Sequence, residues 1–393
     1  MRWYVPYGQL SPRQQQVIQQ ASNTLERGHW LQGFAGTGKT IVLAHLMEGV
    51  ARTHPRASIS FITFTHALKD MVASGLKEDV ARRIRIQTHT QFLSERKRYD
   101  FVFLDEVQDI SAAHLASIRS LAGQLFLAGD PDQRIYDNPA SGREIMTIAT
   151  PKVWRLLEVF RLTERLRAIA MSVLPSATVV EGEMAGNDAD VTIRIVRAVK
   201  AGVGDPVAEV AWVWKEALGS ARPGAPSAIL LPTHRQIAHF AGALSVHLGI
   251  GSAPAARFVD RRRDYSEFNA FWQKQDVPLM FLGSSFGSFS ASDHRPLVYL
   301  MTFHSSKGLD FENVLIPHMN EHAAIWNERA LADDPDLARR LLFVAVTRSR
   351  KNLFITHTAP RPHPYLADLP LGAAVHTTVT ADDAAQPKEE EFF

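Results

Sequence analysis

The residues most able to do chemistry are Gly33-Phe34-Ala35-Gly36-Thr37-Gly38-Lys39-Thr40, which follow an apolar run, Trp30 to Phe34, and open into a helical pattern, Ile41 to Val50. A glycine-rich turn between strand and helix lets backbone N–H groups curl around phosphate oxygens, and the helix N-terminus adds positive potential. Gly33, Gly36, Thr37 and Gly38 are therefore candidate phosphate-cradle residues, with Lys39 neutralising charge and Thr40 ligating Mg²⁺. Phe101-Val102-Phe103-Leu104-Asp105-Glu106 reads as a strand ending in two acids. Asp105 would hold Mg²⁺ through water, and Glu106 would orient or deprotonate an attacking water. The run Leu125 to Ala128 leads into Gly129-Asp130-Pro131-Asp132-Gln133, whose Gln133 amide is expected to sense a γ-phosphate. ATP with Mg²⁺ is the ligand these residue types suit.

The elements that must hold such residues are legible as short β-rich runs alternating with helical stretches, the pattern of an α/β fold with buried parallel strands. Trp30–Phe34, Ser58–Phe64, Phe101–Leu104 and Leu125–Ala128 form one series. Leu156–Phe160, Val191–Val196, Ser227–Leu231, Val298–Thr302, Val314–Pro317 and Leu353–Thr356 form another, separated by helices such as Pro206–Leu218 and His234–Leu248. Pro151 suggests a boundary near 150–154, giving a first domain at 1–152 and a second at 153–366. Gly- and Ser-rich residues 283–295 suggest a short insertion within 255–295, and periodicity fades beyond Pro360, so 367–393 reads as a tail with a disordered acidic end.

Composition narrows the classes. The 393 residues carry 43 Lys and Arg against 41 Asp and Glu, so any polyanion-binding surface must be local. The densest basic patches are Arg96-Lys97-Arg98 and Arg257 to Arg263. Absence of cysteine removes disulfides, thiolate metal sites and cysteine nucleophiles. No run approaches the roughly 20 apolar residues of a membrane span, and the start lacks a signal-peptide pattern, so a cytoplasmic protein without membrane contact is expected.

Taken in order, these motifs resemble those of the UvrD/Rep group of superfamily 1 helicases. Leu10-Ser11-Pro12-Arg13-Gln14 resembles its adenine-reading motif, with Gln14 at the base edge. Asp105-Glu106-Val107-Gln108-Asp109 is similar to its Asp-Glu-x-Gln-Asp signature, and Thr302-Phe303-His304-Ser305-Ser306-Lys307-Gly308-Leu309-Asp310-Phe311 to its Thr-x-His-Ser-Ala-Lys-Gly-Leu-Glu-Phe motif. The resemblance implies two tandem RecA-like P-loop NTPase domains with central parallel sheets and ATP in the cleft between them. It further implies nucleotide contacts from Gly308 and Asp310, the latter at the sugar, and an arginine finger at Arg348 within Val346-Thr347-Arg348. Val159-Phe160-Arg161-Leu162-Thr163 resembles the Tyr-Arg-Ser-Thr motif. That register stacks Phe160 on adenine and sets Arg161 on the γ-phosphate, while a shifted register uses Leu166 and Arg167 instead. Glu106, Lys39, Gln133, Arg161 and Arg348 would then be the catalytic set.

The same resemblance places Thr63, Phe64, Thr88, Tyr136, Thr302 and His304 along a single-stranded DNA track, where hydroxyls suit phosphates and rings suit bases. Asp137-Asn138-Pro139 stands where the group has a Trp-Arg pair, and Thr90 where it has histidine. Spacings of the motifs leave little room for accessory subdomains. A single-strand-stimulated ATPase, translocase and 3′–5′ helicase acting on single-stranded or tailed duplex DNA is the expected activity, with RNA an open substrate. Two alternatives stand beside it: a motor subunit of a repair or anti-phage complex that needs a nuclease or loader, and an ATP-gated clamp that does not travel.

Overall fold

A computed structural model of the chain describes residues 4–25, 28–130, 135, 139–177, 183–184, 188–259, 262–283, 285–326, 334–367 and 369–385. These pack as two compact units, one of Arg2–Arg161 with Ala177–Gly186, the other of Leu162–Ser176 with Asn187–Phe393.

In the first unit, the apolar runs become strands buried on both faces, which needs no alternation of polarity. Strands β1 (His29–Gly33), β2 (Ile59–Thr63), β3 (Ile84–Thr88), β4 (Tyr99–Leu104), β5 (Ala122–Gly129) and β6 (Lys152–Leu156) form one parallel sheet in the order β3-β2-β4-β5-β1-β6. That order sets β4, β5 and β1 side by side, so their C-terminal ends share one sheet edge, where α/β folds present ligands. A core of Trp30, Phe92, Val102, Leu104, Ile118 and Leu127 lies on the sheet. Each such side chain contributes about 1.5–3 kcal/mol by burial. Ser11 and Gln14 close a capping box on the helix Pro12–Ser22, each side chain accepting from the other's backbone N–H.

The first sheet takes in more chain than the sequence suggests. Pro151 stops the preceding helix without ending the sheet, and Lys152–Leu156 runs parallel to β1 as an edge strand, His29 opposite Lys152 through Gly33 opposite Leu156. The chain therefore changes unit at Arg161/Leu162, and Leu156–Phe160 opens no second sheet. Glu158–Val159 instead pairs with Glu183–Met184, which returns to the first unit.

The second unit is built on β7 (Thr192–Lys200), β8 (Ser227–Leu231), β9 (Arg257–Val259), β10 (Arg262–Asp264), β11 (Leu279–Phe281), β12 (Val298–Thr302), β13 (Phe311–Ile316), β14 (Ser349–His357) and β15 (Val375–Val379). The central strands run parallel in the order β7-β14-β13-β8-β12-β11, with β15 parallel to β7 and the short piece Val203–Gly204 antiparallel to it. This core sets aromatic residues, among them Trp212, Phe240, Phe268, Trp272 and Phe281, among aliphatic ones such as Ile229, Leu231 and Leu300. Two expectations change here. The region 255–295 supplies a sheet strand, β11, beside a separate hairpin of β9 and β10. Part of the expected tail is ordered: β15 is a strand, and Ala381–Ala385 is a helix whose Ala384 packs on the second core. Val375-His376-Thr377-Thr378-Val379 is mostly exposed, so it carries no apolar run for a sequence reading to detect. Residues 386–393 and Arg261 lie outside the described residues. Among the described residues, no helix is long and apolar enough to cross a membrane.

Candidate functional site

The turn after β1 is shaped by close approach. Gly36 and Gly38 have φ of +81° and +78°; a Cβ at Gly36 would meet Arg161 Cβ at 2.5 Å, and one at Gly38 would meet Gln14 Nε2 at 2.6 Å. Only glycine satisfies both demands. Thr37 Oγ1 donates to Phe34 O at 3.1 Å, tightening the loop. Lys39 begins the next helix, and its Nζ donates to Gly33 O at 2.8 Å and Phe34 O at 2.9 Å, so the ammonium is folded over the loop's own carbonyls. Burial pushes the Lys39 pKa down, while the carboxylates of Asp130, Glu106 and Asp105 act against that shift. A buried cation facing a polar loop is suited to a polyanion.

At the end of β4, Thr40 Oγ1 donates to Asp105 Oδ2 at 2.6 Å, joining the phosphate-loop helix to the acidic strand end. Burial, then the neighbouring Glu106 carboxylate, pushes the Asp105 carboxyl up; Thr40 and Lys39 pull it down. Glu106 sits in left-handed backbone at φ +57°, a conformation that costs a side-chain-bearing residue about 1–2 kcal/mol. Gln108 holds that turn, its Nε2 donating to Glu106 Oε2 and its Oε1 accepting from Asp130 N at 3.0 Å. Gln108 and Asp130 were given no role by the sequence reading, although both lie inside quoted motifs. Among the described residues no cluster of three metal-ligating side chains occurs. The adjacent oxygens of Thr40 and Asp105 suit a Mg²⁺ ion that keeps waters and phosphate oxygens as its other ligands.

Gln14 is almost fully buried, its Oε1 accepting from Ser11 N and its Nε2 donating to Thr37 O at 3.0 Å. One N–H and one lone pair of the amide remain for another partner. Phe160 is 44% exposed, and its backbone N–H donates to Gly36 O at 2.9 Å. Arg161 therefore lies against the loop, whereas Arg167 pairs with Glu164 on a helix of the other unit.

The expected nucleic-acid residues separate into two kinds. Thr63 is 1% exposed and its hydroxyl is buried, while Thr88 Oγ1 caps the helix His89–Glu95 and bonds Thr90 Oγ1 at 3.0 Å. Thr88 is taken up as a helix cap, as short polar side chains at strand ends readily are, whereas the buried Thr63 hydroxyl has no hydrogen-bond partner among the described residues. Phe64 stacks on His89, centroids 4.6 Å apart. In the second unit, Thr302 Oγ1 bonds Ser305 Oγ at 2.8 Å, and the His304 ring lies 4.5 Å from that of Trp326, a residue no motif had marked. Gly308 has φ +81°, and Asp310 accepts from Arg350 Nη2 at 2.7 Å. Arg348 is 2% exposed, donating from Nε to Val344 O at 2.9 Å and from Nη1 to Leu309 O at 3.0 Å. Gln133 and Tyr136 lie outside the described residues.

Comparison with known proteins gives partial matches. Residues 9–182 match the family described as an AAA domain, and residues 285–359 match the UvrD-like helicase C-terminal domain. The chain is 46% identical over 65 residues to the ATP-dependent DNA helicase Rep of Buchnera aphidicola, covering 16% of this chain and 10% of that protein. It is 28% identical over 149 residues to the ATP-dependent DNA helicase PcrA of Staphylococcus aureus, covering 34% and 20% respectively. DNA helicase II of Rickettsia typhi is 37% identical over 68 residues, covering 16% and 10%. The chain thus covers a tenth to a fifth of the length of these relatives. Among solved structures, the arterivirus nonstructural protein 10 helicase aligns with a TM-score of 0.43 at 15% identity, over 86% of this chain and 61% of that one.

Proposed function

We propose that this chain, a member of the UvrD/Rep-type superfamily 1 helicases with two α/β units, is an ATP-driven motor on single-stranded DNA. The observation that carries the reading is the hydrogen bond between Thr40 and Asp105, with Lys39 and Glu106 beside it at the ends of β1 and β4. Those groups are what phosphoryl transfer requires: positive charge for the phosphates, two hard oxygens for Mg²⁺, and a carboxylate to orient water. Thr40 and Asp105 would hold Mg²⁺, which would supply neutralising charge to the phosphates. Lys39 leaves the loop carbonyls for the triphosphate, and Glu106 holds the attacking water. Arg161 bears on the γ-phosphate, and by family resemblance Gln133 and Arg348 serve the same group. Gln14 and Phe160 take the adenine, and the family resemblance assigns nucleotide contacts to Gly308 and Asp310 as well.

Phe64, Thr302 and His304 line the DNA path, joined by Trp326, whose ring beside His304 suits a stacked base. Polarity is 3′ to 5′ by the same resemblance. The test is displacement of streptavidin from biotin at one end of an oligonucleotide. Displacement from the 5′ end in ATP is expected. ATP hydrolysis with streptavidin retained at both ends would leave the static-clamp reading in its place.

A further inference from the structure

The hairpin of β9 and β10 is the surface that the proposed activity does not use. Its strands pair Arg257 with Asp264, Phe258 with Arg263 and Val259 with Arg262, and its described residues carry three guanidinium groups against one carboxylate, Arg257 being ion-paired with Glu267 at 2.8 Å. That carboxylate is already engaged, since Asp264 Oδ1 accepts from Ser266 N at 2.7 Å. Phe258 is 69% exposed and Val259 47%, on opposite faces of the ribbon. The Arg263 guanidinium stands 5.8 Å from the Phe258 ring centroid, so ring and charge occur side by side on one face. Neither face of the ribbon is buried, and an isolated two-stranded ribbon is marginal in water.

Its base, by contrast, is firmly held. Tyr265 is buried, stacks on Phe281 at 3.5 Å between centroids, and its hydroxyl hydrogen-bonds His234 Nδ1 at 2.7 Å. Phe281 closes β11, and Gly283 just beyond it lies against Ser305, the hydroxyl partner of Thr302. The hairpin is therefore rooted on the sheet edge that bears Thr302 and His304, without being part of that edge's packing.

Resting on the nucleic-acid reading above, we infer that this hairpin is a second binding site for single-stranded nucleic acid, with Arg262 and Arg263 on phosphates and Phe258 stacked on a base. Guanidinium groups flanking an exposed ring supply both contacts a single strand offers, and neither reads sequence. The site extends the path of Thr302 and His304 within the second unit.

The experiment is fluorescence anisotropy of labelled oligodeoxythymidine and oligouridine with the full chain across a range of salt. Removing both arginines (R262A/R263A) is expected to lower affinity and to flatten the log–log salt dependence by about 0.7 per lost phosphate contact. R262K/R263K should restore the slope, which separates charge from folding, and thermal unfolding of each variant checks the fold. F258A should weaken binding roughly 5- to 150-fold with the slope unchanged. Both oligonucleotides should respond alike, because neither contact reads a 2′-hydroxyl. If the wild type binds and the variants bind with the same affinity and slope, the hairpin has no such role while the motor reading stands. If the wild type binds neither oligonucleotide, the two fall together.

Discussion

Glu106 is held by two constraints at once, a left-handed backbone and the Gln108 amide that also grips Asp130 N. A water-orienting carboxylate needs that fixity, since a mobile one would sample many poses. E106Q keeps size and polarity while removing the base, so ATP turnover should fall by about 10²- to 10⁴-fold with nucleotide binding retained, checked by steady-state turnover alongside nucleotide titration. Unchanged turnover would remove Glu106 from the mechanism. Most of this constellation was legible in sequence because it is local: glycines, lysine and threonine adjoin in one stretch, and two acids end one apolar run. Thr63 and Thr88 were harder, because a buried hydroxyl and a helix cap look the same in sequence as a surface hydroxyl on a track. Trp326 was invisible for the opposite reason: only folding brings it to His304.

At the scale of elements, the strands around the phosphate loop announced themselves by hydrophobicity, and those at the margins did not. β6 follows a proline and resembles a domain start, yet it pairs along the whole of β1. β15 is mostly exposed, yet it pairs with β7 from Val375 opposite Arg194 to Val379 opposite Ala198, and Val379 joins the second core. A chain ended at Ala374 should therefore lose on the order of 2 kcal/mol from buried apolar surface and strand pairing. Thermal unfolding would register that as a drop of about 4–8 °C. An unchanged midpoint would mean the segment is the tail its composition suggested.

For the whole molecule, histidine burial sets a pH limit in both units. His89 in the first, and His234 and His363 in the second, are each pushed down to about 4 by desolvation. The unfolded chain binds protons near 6.5, where the folded chain still refuses them, so stability is full above roughly pH 6.5 and is lost as pH falls towards 4. Thermal midpoints recorded from pH 7.5 down to 4 should decline through that window; a flat or rising profile would mean these imidazoles are not desolvated. The motor reading makes ATP turnover answer to DNA, a property of the full chain that no single residue or strand expresses. Its most direct test is the rate of ATP hydrolysis by the full chain, measured as single-stranded DNA is added to saturation. A saturable rise is the predicted result. A rate indifferent to DNA would contradict the account at its centre.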